Sequence, residues 1–192
     1  KSMIFSLSTS ENVAFYAVAL YIAAVIEAPG RAMFQITSPL VAKALNDNDQ
    51  DRLIALLKKS SLNLMIVCGF VFLVINLNLN DFYSLINQEG YATAASVVVI
   101  VSLGKYFSMS MGCLNNIITN SKYYYVVPIF SIGSAIAVVF LNIYFIEKLG
   151  FIGAAVATLI VISIFNALKL LFVARTFKIS PYGKETLYLL GI

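Results

Sequence analysis

Histidine is absent from the 192 residues, and cysteine occurs only at Cys68 and Cys113. Without histidine, the usual zinc, haem and general-base constellations lack their commonest ligand or base. Both cysteines lie in apolar stretches with no redox or metal partner in view, so they read as packing residues, and no cofactor is expected. Charge is scarce as well: 11% of the residues are charged, against about 25% in an ordinary soluble domain. Period-2 alternation is missing, which argues against a β-barrel. No low-complexity tract or extended repeat breaks the chain, and no cleavable signal is evident.

What remains is apolar. Hydrophobic residues make up 60% of the chain, and the mean hydropathy is +0.90. Segments of about 20 residues with few charges are long enough to cross about 30 Å of hydrocarbon. Five can be drawn, over 13–45, 61–79, 92–119, 124–146 and 152–173, and a sixth apolar run starts near Thr186. In lipid every backbone N–H and C=O must be paired within its own segment, so the expected fold class is all-α, a polytopic membrane helix bundle. The chain starts at Lys1 rather than Met and stops at Ile192, inside that sixth run, so we expect a fragment of a larger protein.

The net charge of +4 and a pI near 9.0 would suit nucleic acid, but the basic residues cluster in short connections, and no nucleic-acid partner is expected. Lys43, Arg52, Lys58 and Lys59 flank the first connection, Lys122 lies in the third, and Arg175, Lys178 and Lys184 lie in the fifth. The second has none, and the fourth has only Lys148. The positive-inside rule then puts the loops near 46–60, 120–123 and 174–185 in the cytoplasm. The stretch "NDNDQDRLIALLKKSS" is either a solvated connector or an interfacial amphipathic segment, with Leu53, Leu56 and Leu57 on one face and Arg52, Lys58 and Lys59 within reach of headgroups.

Two apolar segments carry polar stripes. In the first, Glu27, Arg31, Gln35 and Ser38 fall at i, i+4, i+8 and i+11, one face of a helix. Pro29 lacks a backbone donor and Gly30 adds freedom, so a kink is expected beside the charged pair. A local Glu27–Arg31 ion pair explains the spacing, and a substrate path explains it too, because ionisable groups at membrane depth face a bundle interior or a wet cavity. In the third segment Lys105, Ser108, Gly112, Asn115 and Thr119 form a second stripe. Lys105 sits near the middle with no acid in its own segment, so it either snorkels or serves function as an uncompensated cation.

Asn142, Asn166 and Lys169 are weaker marks: membrane asparagines mostly bond between helices, and Lys169 is close enough to the cytoplasmic end to snorkel. "GFIGAAVAT" places Gly150, Gly153, Ala154 and Ala157 on or near one side, a surface suited to close helix packing.

The succession "NVAFYAVALYIAAVIEAPGRAMFQITSPLVAKAL", a charged linker ending "LLKKSSLNL", and "EKLGFIGAAVATLI" resembles the polysaccharide flippases of the multidrug/oligosaccharidyl-lipid/polysaccharide exporter superfamily. The "Y…A…P…SP" and "G-x-x-G-A-A-x-A-T" patterns carry most of the likeness, which runs over nearly the whole chain. The resemblance implies a MATE-like transporter of two six-helix lobes around a central cavity, working by alternating access, with this chain in the second lobe. It further implies transport of undecaprenyl-diphosphate-linked glycan repeat units, for O-antigen, capsule or similar, across the bacterial inner membrane. Membrane lipids and the polysaccharide polymerase machinery are the other implied partners. Glu27, Arg31 and Lys105, with Gln35, Ser108 and Asn115, would then face the substrate, and no residue would be catalytic.

Two other classes compete. A drug or cation antiporter of the same superfamily should favour buried carboxylates, and Glu27 alone lies within an apolar core. A membrane glycosyltransferase or polymerase needs catalytic acids or bases, and the longest external loop offers only Asp81 and Glu89.

Overall fold

The computed structural model describes residues 10–79, 81 and 91–182. Every regular element among them is helical. They are α1 (Ser10–Ala24), a 3-10 turn (Val25–Glu27), α2 (Ala28–Asn46), α3 (Gln50–Leu77), α4 (Tyr91–Ser110), α5 (Leu114–Asn120), α6 (Val126–Leu149) and α7 (Phe151–Phe177). Four spans are long and apolar enough to cross a membrane: Tyr16–Asn46, Gln50–Leu77, Val126–Leu149 and Ile152–Phe177. The bent pair α4 and α5 makes a fifth if counted as one. The run expected from Thr186, and the connection 82–90 with Glu89, lie outside the described residues.

The first connection is shorter than expected. Only residues 47–49 link α2 to α3, and the stretch with Leu53, Leu57, Lys58 and Lys59 is the first part of α3 itself. Asp49 caps the helix by accepting from the Arg52 backbone N–H at 2.9 Å. Leu53 and Leu57 are buried against Val41 and Ala44, while Arg52, Lys58 and Lys59 stay exposed. The stretch is therefore no solvated connector but the amphipathic start of α3, with Leu53 and Leu57 on the buried face and Arg52, Lys58 and Lys59 on the exposed one.

Packing is organised around α4, which lies against α1, α3 and α7; α2 packs on α3 and α5, and α6 on α7 and α5. One apolar cluster joins Tyr16, Ala19, Val97, Val98, Ile146 and Ala154. A second, at the opposite end, joins Val41, Leu57, Leu114, Ile117, Val173 and Ile179. Gln50 Nε2 donates to the Phe177 carbonyl at 2.9 Å, and the Tyr123 ring sits edge-on to Phe172 and Phe177, tying three connections to that second end. Lys43, Arg52, Lys58, Lys59, Lys122, Arg175 and Lys178 therefore share one end of the bundle and Lys148 lies at the other. On α6, Ile129, Ile132, Ile136, Phe140 and Ile143 are exposed. An apolar surface of that extent suits hydrocarbon rather than water.

The third predicted span is broken. α4 stops at Ser110 and α5 leaves at an angle of 57°. Gly112 has φ +62°, a left-handed conformation that a side chain disfavours, and a Cβ there would strike the Ser60 side chain and the Ser61 backbone of α3. The groups freed by the break are satisfied by that same pair: the Ser60 hydroxyl accepts from the Cys113 N–H at 2.9 Å, and the Ser61 hydroxyl donates to the Ser110 carbonyl. Cys113 and Cys68 are both free and fully buried.

The small-residue surface of α7 is present in part. Ala154 and Ala157 are buried, and a Cβ at Gly153 would collide with the Phe145 carbonyl. Gly150 differs: it is exposed, touches nothing where a Cβ would go, and has φ +60°. Its N–H closes α6 on the Ile146 carbonyl at 2.9 Å, so it makes the turn rather than the packing.

Candidate functional site

Glu27 is the last residue of the 3-10 turn, and the sequence explains why the turn is there. In an uninterrupted α-helix the N–H of residue 29 would bond the Val25 carbonyl, but Pro29 has none. The Ala28 N–H takes that carbonyl instead, one residue early, and the helix tightens. The expected kink at Pro29 and Gly30 thus takes the form of a local change of winding, and Tyr16–Asn46 continues as one span. Gly30 contributes by close approach: it is buried, and a Cβ would overlap the Met109 sulfur of α4. The contact draws the start of α2 onto α4 and puts Glu27 in reach of Lys105.

Lys105 Nζ donates to Glu27 Oε1 at 2.7 Å. The other carboxylate oxygen faces Arg31 Nη2 at 3.6 Å, one turn along the same helix. Side-chain exposure separates the two cations, 27% for Lys105 against 71% for Arg31, with Glu27 at 21%. The i, i+4 pair expected from spacing is therefore the looser of two. The expectation that Lys105 is an uncompensated cation is overturned, because a carboxylate 78 positions away in sequence is folded against it. Each charge lowers the cost of holding the other at membrane depth.

The pair opens on a cavity of about 450 Å³ lined by Glu27 and Phe34, by Lys105, Ser108 and Met109 of α4, by Asn115 of α5, by Ser134, Ala135 and Val138 of α6, and by Val161, Ile162, Phe165, Asn166 and Lys169 of α7. It lies between α2 and α6, on a floor made by α4 and α7. Ser108 Oγ accepts from Asn166 Nδ2 at 2.7 Å, the interhelical bond expected of a membrane asparagine. Asn142 does not follow suit: its Oδ1 is enclosed without a hydrogen-bond partner among the described residues.

Of the six proposed contact residues, Glu27, Lys105, Ser108 and Asn115 line the cavity, whereas Arg31 and Gln35 do not. Gln35 is exposed further along α2, and Ser38 accepts from Asn120 Nδ2 at 3.2 Å. The break at Gly112 also divides the second stripe. Gly112 itself turns toward α3, and Thr119 is exposed, donating back to the Asn115 carbonyl at 2.9 Å. Lys169, read as a snorkelling residue, lines the cavity and has no salt bridge among the described residues. Asn116, not singled out from sequence, bridges α5 to α2 through the Phe34 carbonyl at 3.1 Å and Thr37 Oγ1 at 3.2 Å. Its signal was a second asparagine beside Asn115, which only the direction of α5 separates.

The chain is thus a multi-pass helical membrane protein with a charged, polar cavity between its helices. Comparisons with protein-family models, with curated proteins and with solved structures found no match.

Proposed function

We propose that the protein is a carrier for an anionic lipid-linked glycan, a flippase of the kind the sequence resembles, forming part of the second lobe of a two-lobe transporter. The observation that supports this is the charge of the cavity. Among the described residues its charged lining is Glu27, Lys105 and Lys169, so once Glu27 and Lys105 are set against each other, one cation is left over. Moving a diphosphate through a low-dielectric barrier is costly, and a hydrated cavity with surplus positive charge lowers that cost. About 450 Å³ is of the size that accommodates a small-molecule headgroup. A whole glycan repeat unit would need further wall, which a facing lobe supplies in such transporters.

A cation antiporter is less well supported, since Glu27, the one carboxylate lining the cavity among the described residues, is already met by Lys105 and Arg31. On the flippase reading the protein resides in the bacterial inner membrane with its basic end in the cytoplasm, and undecaprenyl-diphosphate-linked repeat units cross from the cytoplasmic to the periplasmic leaflet. The test is complementation. The full-length protein, expressed in a strain lacking its polysaccharide flippase, should restore surface polysaccharide, while Lys169→Met should reduce it at least about tenfold at equal protein level, the typical effect of removing one charge-assisted contact. Absence of any glycan-dependent phenotype would refute the reading.

A further inference from the structure

We propose that Glu27 is the resident counter-anion of Lys105, and that a diphosphate ligand displaces it onto Arg31, so that binding is an exchange of anions rather than occupation of a free cationic site. The proposal rests on the anionic-substrate reading above and adds how the site accepts the charge. Three observations carry it. Glu27 already bridges both cations, one oxygen on Lys105 at 2.7 Å and the other on Arg31 at 3.6 Å. Arg31 lies one turn along the same side of the chain as Glu27, does not line the cavity, and is 71% exposed, so it can receive the carboxylate without blocking the ligand. Lys169, lining the same cavity, has no salt bridge among the described residues and is free to make first contact with an incoming anion.

The register of the helices completes the seat. Ser108 and Asn166 touch, so Lys105 and Lys169 lie three residues from that contact, in opposite directions along two helices that run the same way. Their Cα atoms are about 9 Å apart along the bundle at 1.5 Å per residue, a span two lysine side chains can close on one diphosphate. A diphosphate on Lys105 would stand beside the Glu27 carboxylate, and like charges a few ångströms apart repel strongly even at the intermediate dielectric of a protein cavity. Glu27 must then leave, and among the described residues the other cation beside it is Arg31. Arg31 acts as a positioning residue: it sets how readily Glu27 releases Lys105.

The test measures binding of farnesyl diphosphate and of inorganic pyrophosphate to the full-length protein in lipid nanodiscs, by calorimetry. Glu27→Gln removes the competitor and should tighten binding about tenfold, within the usual range of coupling between interacting sites. Glu27→Asp, a shorter carboxylate that reaches Lys105 less well, should tighten it less, and serves if the glutamine variant folds poorly. Arg31→Gln should weaken binding by about threefold to tenfold, yet have no effect in the Glu27→Gln background. Lys169→Met should weaken binding in every background. Equal or weaker binding by both Glu27 variants overturns the exchange, as does an Arg31→Gln effect that survives in the double variant. If pyrophosphate follows the expected pattern but the protein fails to restore surface polysaccharide, the exchange stands and the flippase reading falls. If neither probe binds any form, both fall.

Discussion

Glu27 and Lys105 depend on each other at the scale of single residues. Removing one partner of a largely enclosed ion pair leaves the other charge without compensation, which costs more than the intact pair contributes. Lys105→Met is therefore expected to destabilise the protein by about 1–3 kcal/mol, below the full value for a wholly buried pair because both side chains keep some exposure. Thermal unfolding followed by size-exclusion chromatography in detergent would show this as a lower transition temperature. Glu27→Gln combined with Lys105→Met should recover most of the loss, since no stranded charge remains. A double variant as unstable as the single ones would mean that the pair contributes through packing alone. Arg31→Gln should change stability little, because Glu27 keeps its closer partner.

Among the elements, the joint between α4 and α5 is the most constrained. Gly112→Ala puts a side chain at φ +62° and into Ser60 and Ser61, so a loss of more than about 1–2 kcal/mol is expected from the backbone conformation alone. Ser60→Ala would leave the buried Cys113 N–H unpaired, for about 1–3 kcal/mol. Both should raise the reactivity of Cys113, fully buried in the native protein, toward a small thiol reagent. Unchanged reactivity would show that the joint is held by other contacts. Pro29→Ala is predicted to be milder: it restores a donor to the Val25 carbonyl and favours α over 3-10 winding, so its effect should fall on the Glu27 position and on transport rather than on insertion.

For the whole molecule, the arrangement of ends makes a topological prediction. A cysteine at Asn48 and one at Lys122 should respond alike to a membrane-impermeant thiol reagent, and one at Lys148 oppositely, in a background where Cys68 and Cys113 are replaced. With the basic end in the cytoplasm, only the Lys148 position should label from outside intact cells. Labelling at Asn48 from outside would reverse the orientation, and labelling at Asn48 and Lys148 from the same side would contradict the bundle itself.

What the sequence determined by itself is whatever depends on neighbours in the chain. Apolar runs between charged ends marked the spans, because hydrocarbon thickness sets segment length. Pro29 marked the change of winding, because the missing donor is a property of one residue. The basic residues of the described connections gathered at one end of the bundle, with Lys148 at the other, because successive spans must reverse direction. The tertiary structure decided everything that joins distant positions. Lys105 read as a lone cation because Glu27 is on another helix, and Lys169 read as snorkelling because its distance to the chain end was visible while the cavity between α2 and α6 was not. The i, i+4 spacing of Glu27 and Arg31 was real but secondary. Gly112 looked like one more member of a polar stripe, since a glycine in an apolar run carries no local sign of positive φ. Its partners Ser60 and Ser61 sit on α3, about 50 positions earlier in the chain; in the absence of water the freed backbone groups at the joint had to find partners in the protein, and which partners they find is settled only when the helices pack.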